Sequence, residues 1–116
     1  MKLLHVTIRT EKFEEEIRFY EEVAGLQITK DMRPLGRNMV FLANAEGESE
    51  IEIIETPGAE SAGNENLSIG FLTEDVTAKR EALIDAGMEV TPMIRPNPQV
   101  QFFFVKDPAG VTVQFM

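Results

Sequence analysis

The sequence of 116 residues has no cysteine, no tryptophan, one tyrosine and one histidine. The absence of cysteine excludes disulfides, thiolate metal sites, a cysteine nucleophile and iron–sulfur clusters. No apolar run approaches the roughly 20 residues of a membrane-spanning helix, and the first residues lack the long apolar region of a signal peptide. From this length and composition we expect a single domain that lies in the cytoplasm and does not contact a membrane.

Basic residues are also scarce, with 11 Lys and Arg against 20 Asp and Glu, and the formal net charge is −9. They are scattered along the chain, and Lys79 and Arg80 are the only adjacent pair. Proteins that bind nucleic acid neutralise its phosphates with clustered Lys and Arg. The charge pattern therefore argues against nucleic acid as a main partner.

The first half of the chain predicts a strand, a helix and three further strands. Apolar residues recur at helical spacing from Phe13 to Val23, and Gly25 ends the helix as a C-cap residue does. The acidic residues of this stretch, including Glu16, are predicted to form its solvated face. Runs of apolar and β-branched residues predict strands at 3–9, 26–32, 38–42 and 50–55.

The second half repeats that order. Asp75 is placed to cap a helix over 75–86, and Gly87 ends it. Three prolines between 92 and 98 predict a stiff loop, which is either a pocket rim or a plain connector. Strands are predicted at 66–73, 88–93, 100–106 and 111–115.

The two halves also align residue by residue. Residues 4–11 align with 67–74, and residues 50–54 align with 112–116. The Gly- and Pro-containing segment between the halves has the composition of a surface linker. We therefore expect one domain built from two βαβββ modules, with these approximate bounds: 1–57 for the first, 58–65 for the linker and 66–116 for the second.

Strand alternation gives each predicted sheet one face that packs on its helix and a second face that does not. On the second face, the first strand carries His5 and Arg9 and the fourth carries Glu52; the aligned positions of the second module are Ser68 and Gln114. Two curved sheets placed side by side would form a cleft lined by these residues. A His and a carboxylate on adjacent strands are suitable ligands for a divalent metal.

On these residues the chain resembles the vicinal oxygen chelate superfamily, which includes glyoxalase I, bleomycin-resistance proteins, fosfomycin-resistance transferases and extradiol dioxygenases. The resemblance runs from the Leu3-Leu4-His5 segment to the closing Asp107-Pro108-Ala109-Gly110 turn. It implies an α+β fold in which paired βαβββ modules form an eight-stranded, partly open, barrel-like cleft. It also implies a homodimer.

The resemblance implies a ligand set as well. Metal-dependent members take their ligands from the first, fourth, fifth and eighth strands, at the positions of His5, Glu52, Ser68 and Gln114. A divalent metal (Zn, Ni, Mn or Fe) would thus be held by His5, Glu52 and Gln114 in an incomplete site, since a serine hydroxyl is a poor ligand. The family's last-strand Glu moves a proton, and an amide lacks that capacity. Glyoxalase I chemistry is therefore not expected.

Three functions stay open at this stage. The chain is a small-molecule binding protein, a metal-assisted lyase, isomerase or transferase, or a subunit whose cleft is vestigial. In the first case the candidate binding residues are His5, Arg9, Ser68, Phe103 and Gln114; in a metal-free reaction Glu52 would be the catalytic base. Four of these residues also have a structural interpretation: His5 and Glu52 bonded only to each other, Arg9 exposed at a strand end, and Phe103 packed between helix and sheet.

Overall fold

Hydrogen bonding sorts the strands of the chain into two four-stranded sheets, which are not closed into a barrel. The computed structural model describes residues 1–116, and they divide into two compact units, Met1–Ala62 (unit 1) and Gly63–Met116 (unit 2). Each unit contains one α-helix and one mixed sheet, so the predicted α+β fold of two βαβββ modules is confirmed. No helix is long and apolar enough to span a membrane.

Unit 1 carries the candidate residues His5 and Glu52 on its first and last strands. Its elements are β1 (His5–Thr10), α1 (Phe13–Glu22), β2 (Gln27–Asp31), a 3-10 turn (Arg33–Leu35), β3 (Met39–Ala43) and β4 (Glu50–Glu55). The strand order is β1-β4-β3-β2, with β1 parallel to β4 and the other pairs antiparallel. The parallel register sets His5 opposite Glu50 and Thr7 opposite Glu52.

Unit 2 repeats this arrangement. Its elements are β5 (Ser68–Phe71), α2 (Val76–Asp85), β6 (Ile94–Asn97), β7 (Val100–Lys106) and β8 (Thr112–Phe115). The strand order β5-β8-β7-β6 corresponds to β1-β4-β3-β2, and the parallel register sets Ser68 opposite Thr112 and Gly70 opposite Gln114. Aligned positions of the two halves therefore occupy equivalent places within their own sheets.

Each unit has its own core between helix and sheet. In unit 1, Tyr20 of α1 is fully buried together with Val40, Leu42 and Ile53 of the sheet. In unit 2, the fully buried residues are Phe103 and Val113, and Leu83 of α2 joins them. At roughly 1.5–3 kcal/mol for each fully buried large apolar side chain, these contacts favour each unit over its unfolded chain.

The prediction for the acidic face of α1 is wrong at one residue. Glu14 and Glu15 are exposed, but the side chain of Glu16 is fully buried. Residue 16 is three positions after Phe13 and four before Tyr20, both of which are buried. Since positions three and four apart share one face of a helix, the geometry of α1 turns Glu16 inward.

The sixth strand also differs from the prediction of 88–93. Val90 forms an isolated bridge with Val105, and regular pairing with β7 starts only at Ile94. Pro92 has no backbone N–H to donate, so it interrupts the ladder between these points. The proline-rich segment predicted as a loop therefore contains β6 itself, at the edge of the sheet, where a proline such as Pro96 is tolerated.

Candidate functional site

His5 and Glu52 lie next to each other on the face of the unit 1 sheet opposite α1, which we call the helix-free face. His5 Nε2 is 3.6 Å from Glu52 Oε1, and the Thr7 hydroxyl donates a hydrogen bond of 2.5 Å to the same oxygen. The Glu52 side chain is 12% exposed and that of His5 34%. The carboxylate is thus held in place while part of the imidazole remains accessible to a ligand.

A second buried carboxylate, Glu50, stands two residues before Glu52 on the same face of β4. Thr29 donates a hydrogen bond from its hydroxyl to Glu50 Oε2, and Lys30 Nζ lies 3.2 Å from Oε1. The Thr29 hydrogen bond, followed by the contacts with Lys30, lowers the pKa of Glu50 below its ordinary value of 4.5, against the opposing effect of burial. Each of the two carboxylates therefore has one hydroxyl donor and one nitrogen-bearing partner.

An aromatic ring joins these two groups. Phe41 on β3 meets the imidazole of His5 edge to face, with ring centroids 5.8 Å apart. Lys30 Nζ lies 4.9 Å from the centroid of the same ring. An ammonium over an aromatic face is an attractive arrangement, and here the chain supplies the ammonium itself.

Arg9, also predicted to contact a ligand, is exposed and pairs with Ile54 in the β1–β4 register. It lies four residues beyond His5, which is roughly 13 Å along an extended strand. Arg9 therefore shares the strand face of His5 without belonging to the His5–Glu52 pair.

In unit 2, the residues aligned with this pair are held more loosely. Ser68 is exposed, and Gln114 is partly buried beside Gly70. A Cβ atom at Gly70 would lie 3.4 Å from Gln114 Oε1. Gly70 occupies the position that Thr7 has in unit 1, so the carboxamide of Gln114 receives no equivalent hydroxyl donor.

Unit 2 contains an open cavity of about 860 Å³ that includes Ser68. This volume is within the range of small-molecule sites. Its lining combines apolar side chains with three exposed charged ones. The lining residues are Glu65, Asn66, Leu67, Ser68, Met88, Glu89, Val90, Thr91, Phe104, Val105, Lys106 and Thr112.

Phe103, predicted as a binding residue, does not line this cavity. Its side chain is fully buried in the core of unit 2, where its ring centroid is 5.6 Å from that of Phe115. The neighbouring Phe104 lies opposite Gln114 on the helix-free face and does line the cavity. Strand alternation is the sequence signal that distinguishes the two residues, because it puts Phe104 and not Phe103 on the sheet face of Gln114.

The donor set does not fit a catalytic metal within either unit. His5 and Glu52 supply two ligands in unit 1, whereas Glu50 is engaged by Thr29 and Lys30. No group of three or more His, Cys, Asp or Glu side chains is arranged to hold a metal ion. Catalytic zinc sites, by comparison, have three protein ligands and an open position.

Comparison with known proteins adds a family and a set of relatives. The family model described as Glyoxalase/Bleomycin resistance protein/Dioxygenase superfamily matches residues 2–115. A lactoylglutathione lyase of Haemophilus influenzae is 28% identical over 124 aligned positions, which cover 100% of this chain and 92% of that protein.

Two solved structures share the fold. The trypanothione-dependent glyoxalase I of Leishmania major matches with a TM-score of 0.77 at 20% identity, over 100% of this chain and 86% of that one. The fosfomycin resistance protein FosX of Mesorhizobium loti matches with a TM-score of 0.72 at 19% identity, over 97% of this chain and 88% of that one. Relatives with this fold thus have names that indicate different chemistries.

Proposed function

This chain belongs to the Glyoxalase/Bleomycin resistance protein/Dioxygenase superfamily, and we propose that it is a binding protein for a small organic molecule. The observation that carries the proposal is the pairing of a nearly buried carboxylate, Glu52, with the accessible imidazole of His5. A fixed polar pair beside an aromatic ring, here Phe41, can orient a ligand and give it apolar contact. In unit 2 the corresponding contacts would come from Ser68 and Gln114.

His5 provides a direct test because it is the only histidine in the chain. Its ring protons give NMR signals that need no assignment against other histidines. In a screen of small organic molecules, we expect ligands that shift these signals, and we expect them to bind at least about tenfold more weakly to His5→Ala and Glu52→Gln.

The matched control is Glu15→Gln, which changes the same charge at an exposed position of α1. It should bind these ligands as the parent does. A screen in which every bound molecule leaves the His5 signals unchanged, or in which Glu15→Gln weakens binding as much as Glu52→Gln, would contradict the proposal.

We further propose that the chain does not catalyse the lactoylglutathione lyase reaction. Gln114 occupies the position of the family's proton-transferring Glu, and a carboxamide has no protonation equilibrium near neutral pH. The hemithioacetal of methylglyoxal and glutathione should therefore not be converted above the uncatalysed rate. Turnover that is lost in Glu52→Ala would overturn this.

The metal-assisted enzyme remains the second candidate, and the 3.6 Å approach of His5 to Glu52 is the observation in its favour. It predicts that Ni²⁺ or Zn²⁺ binds with His5, Glu52 and Gln114 as ligands. Isothermal titration with each metal should then show tight binding that each of His5→Ala, Glu52→Ala and Gln114→Ala weakens. Weak binding that is unaffected by Gln114→Ala would leave the metal-free proposal in place.

We also propose a homodimer. Support comes from exposed apolar side chains near the chain start and after β5, among them Leu3, Leu4 and Leu72, because such residues favour association. Sedimentation equilibrium at micromolar concentration should give twice the chain mass of 13.0 kDa. A species of the single-chain mass would refute the dimer and would leave the ligand-binding proposal intact.

A further inference from the structure

The cavity of unit 2 lies where unit 1 places the side chain of a lysine. In unit 1, Lys30 is paired with Phe41, and its Nζ lies 4.9 Å from the ring centroid. In unit 2, the residue hydrogen-bonded to the aligned Phe104 is Thr91, the counterpart of Thr29: the Thr91 amide donates to the Phe104 carbonyl at 3.0 Å, and the Phe104 amide donates to the Thr91 hydroxyl at 2.9 Å. The residue aligned with Lys30 is Pro92, so unit 2 has an uncharged side chain where unit 1 has an ammonium.

The carboxylate that holds the lysine is also replaced. Glu50, which lies 3.2 Å from Lys30, aligns with Thr112 of β8. Thr91, Phe104 and Thr112 all line the cavity. Unit 2 therefore keeps the aromatic ring but lacks both the ammonium and its carboxylate partner, and open space takes their place.

Two other carboxylates line this space. Glu65 and Glu89 are exposed lining residues of the cavity, neither forms an ion pair, and the only cation of the lining is Lys106. The net formal charge of the lining is thus −1. This negative charge attracts a cation, and the net charge of −9 on the whole chain acts in the same direction.

We propose that the unit 2 cavity binds an organic ammonium ion, with the charged nitrogen over Phe104 and the apolar body against Leu67, Met88 and Val90. The ring supplies the attraction that Phe41 gives to Lys30, and Glu65 and Glu89 supply the counter-charge. The apolar lining selects an organic cation over a metal ion, because a bare metal needs converging oxygen or nitrogen ligands. This inference rests on the proposed small-molecule function and assigns the chemical class of one ligand group.

The test compares three probes with one apolar body and different head groups: hexylammonium, 1-hexanol and hexanoate. Binding is followed from the backbone amide signals of Thr91, Phe104 and Thr112 in the full chain. We expect hexylammonium to shift these signals and to bind at least about tenfold more tightly than hexanol, with hexanoate weaker still. Equal binding of the three probes, or a preference for hexanoate, would overturn the proposal.

Variants identify the groups responsible. Glu65→Gln combined with Glu89→Gln should remove most of the preference for hexylammonium over hexanol, whereas Glu14→Gln combined with Glu15→Gln on α1 should retain it. Thr91→Lys should place an internal ammonium over Phe104 and block hexylammonium. Unchanged hexylammonium binding to folded Thr91→Lys, or to the Glu65 and Glu89 double variant, would refute the proposed position.

Failure of this inference is distinguishable from failure of the proposed function. Binding of the ammonium probe is measured at the backbone amide signals of unit 2. Binding of the screened organic molecules is measured at the His5 ring signals. If hexylammonium does not bind while other molecules shift the His5 signals, the ammonium site is wrong and the binding function stands.

Discussion

The Thr7 hydroxyl donates a hydrogen bond to Glu52 across the parallel β1–β4 pair. The accepting oxygen is the one that lies 3.6 Å from His5 Nε2, so Thr7 fixes the carboxylate at the place where it meets the imidazole. Unit 2 has glycine at the corresponding place, Gly70, opposite Gln114. The same sheet register thus gives a constrained carboxylate in one unit and a less constrained amide in the other.

Replacing Thr7 should show how much this constraint contributes. Thr7→Val removes the donor and leaves Glu52 nearly buried, so we expect the free energy of unfolding to fall by about 2 kcal/mol, as for other hydrogen bonds to charged groups. Thr7→Ser retains the hydroxyl and should recover most of the loss. Urea denaturation of both variants gives the comparison; equal stabilities would show that the hydrogen bond contributes little.

Gly70 allows the reverse experiment. Gly70→Ala should stabilise unit 2 by about 0.5–1 kcal/mol, because glycine loses more backbone freedom on folding than alanine. Gly70→Thr should stabilise it further, since threonine favours strands and its hydroxyl can donate to Gln114 Oε1. Denaturant unfolding of parent and variants measures both steps. A threonine variant less stable than the alanine variant would mean that no hydrogen bond forms.

Glu50 predicts a specific dependence of stability on pH. Its pKa is lowered in the folded chain, first by the Thr29 hydrogen bond and then by Lys30. A carboxyl with a lowered folded pKa contributes stability above its unfolded pKa, and the contribution is lost as the pH falls through the folded value. The free-energy difference between parent and Glu50→Gln should thus be constant above about pH 5 and shrink below the unfolded pKa.

The measurement is urea denaturation of both proteins between about pH 3 and pH 7. Glu46→Gln serves as the control because Glu46 is exposed and is not one of the hydrogen-bonding partners of Glu50 or Glu52. The free energy of unfolding of Glu46→Gln should differ little from that of the parent across this pH range. A Glu50→Gln difference that grows towards acid pH would contradict the assigned direction of the pKa shift.

Asp75 is the N-cap of α2, where its carboxylate accepts a hydrogen bond of 2.9 Å from the amide of Ala78. Asp75→Ala should destabilise the chain by about 1 kcal/mol, the usual effect of losing such a cap. Asp75→Asn keeps a hydrogen-bond acceptor at the cap, so it should lower the free energy of unfolding by less than Asp75→Ala does. Hydrogen exchange at the Ala78 amide reports the effect locally; unchanged protection in the alanine variant would show that the cap is not effective.

The sequence predicted the order of elements well because local signals agreed with it. Asp75 and Gly87 mark the ends of α2, where Gly87 has a φ of +85° that glycine adopts without strain. Glu16 and the sixth strand could not be predicted in the same way. Glu16 has the chemistry of a surface residue, and only the positions of Phe13 and Tyr20 put it inside; the register of β6 depends on pairing with β7.

For the candidate site, the sequence located residues better than it described their partners. Alternation and the internal repeat placed His5 and Glu52 on one sheet face, and the structure gives their 3.6 Å approach. The roles of Thr29 and Lys30 were not predicted, because a register shift between Ile28 and Lys30 in β2 governs which side chains reach Glu50. The prediction of Phe103 as a binding residue did not follow alternation along β7, and the structure buries the Phe103 side chain in the core of unit 2.

The parallel pairing of β1 with β4 also bears on how unit 1 folds. Thr7 and Glu52 are 45 residues apart in the chain, whereas the antiparallel strands β2, β3 and β4 are neighbours in sequence. Contacts of high sequence separation carry the larger loop-closure entropy and form more slowly than local ones. The His5–Glu52 pair therefore requires the first strand of unit 1 to dock beside the last, and the His5 ring signals become a kinetic marker for that docking step during refolding.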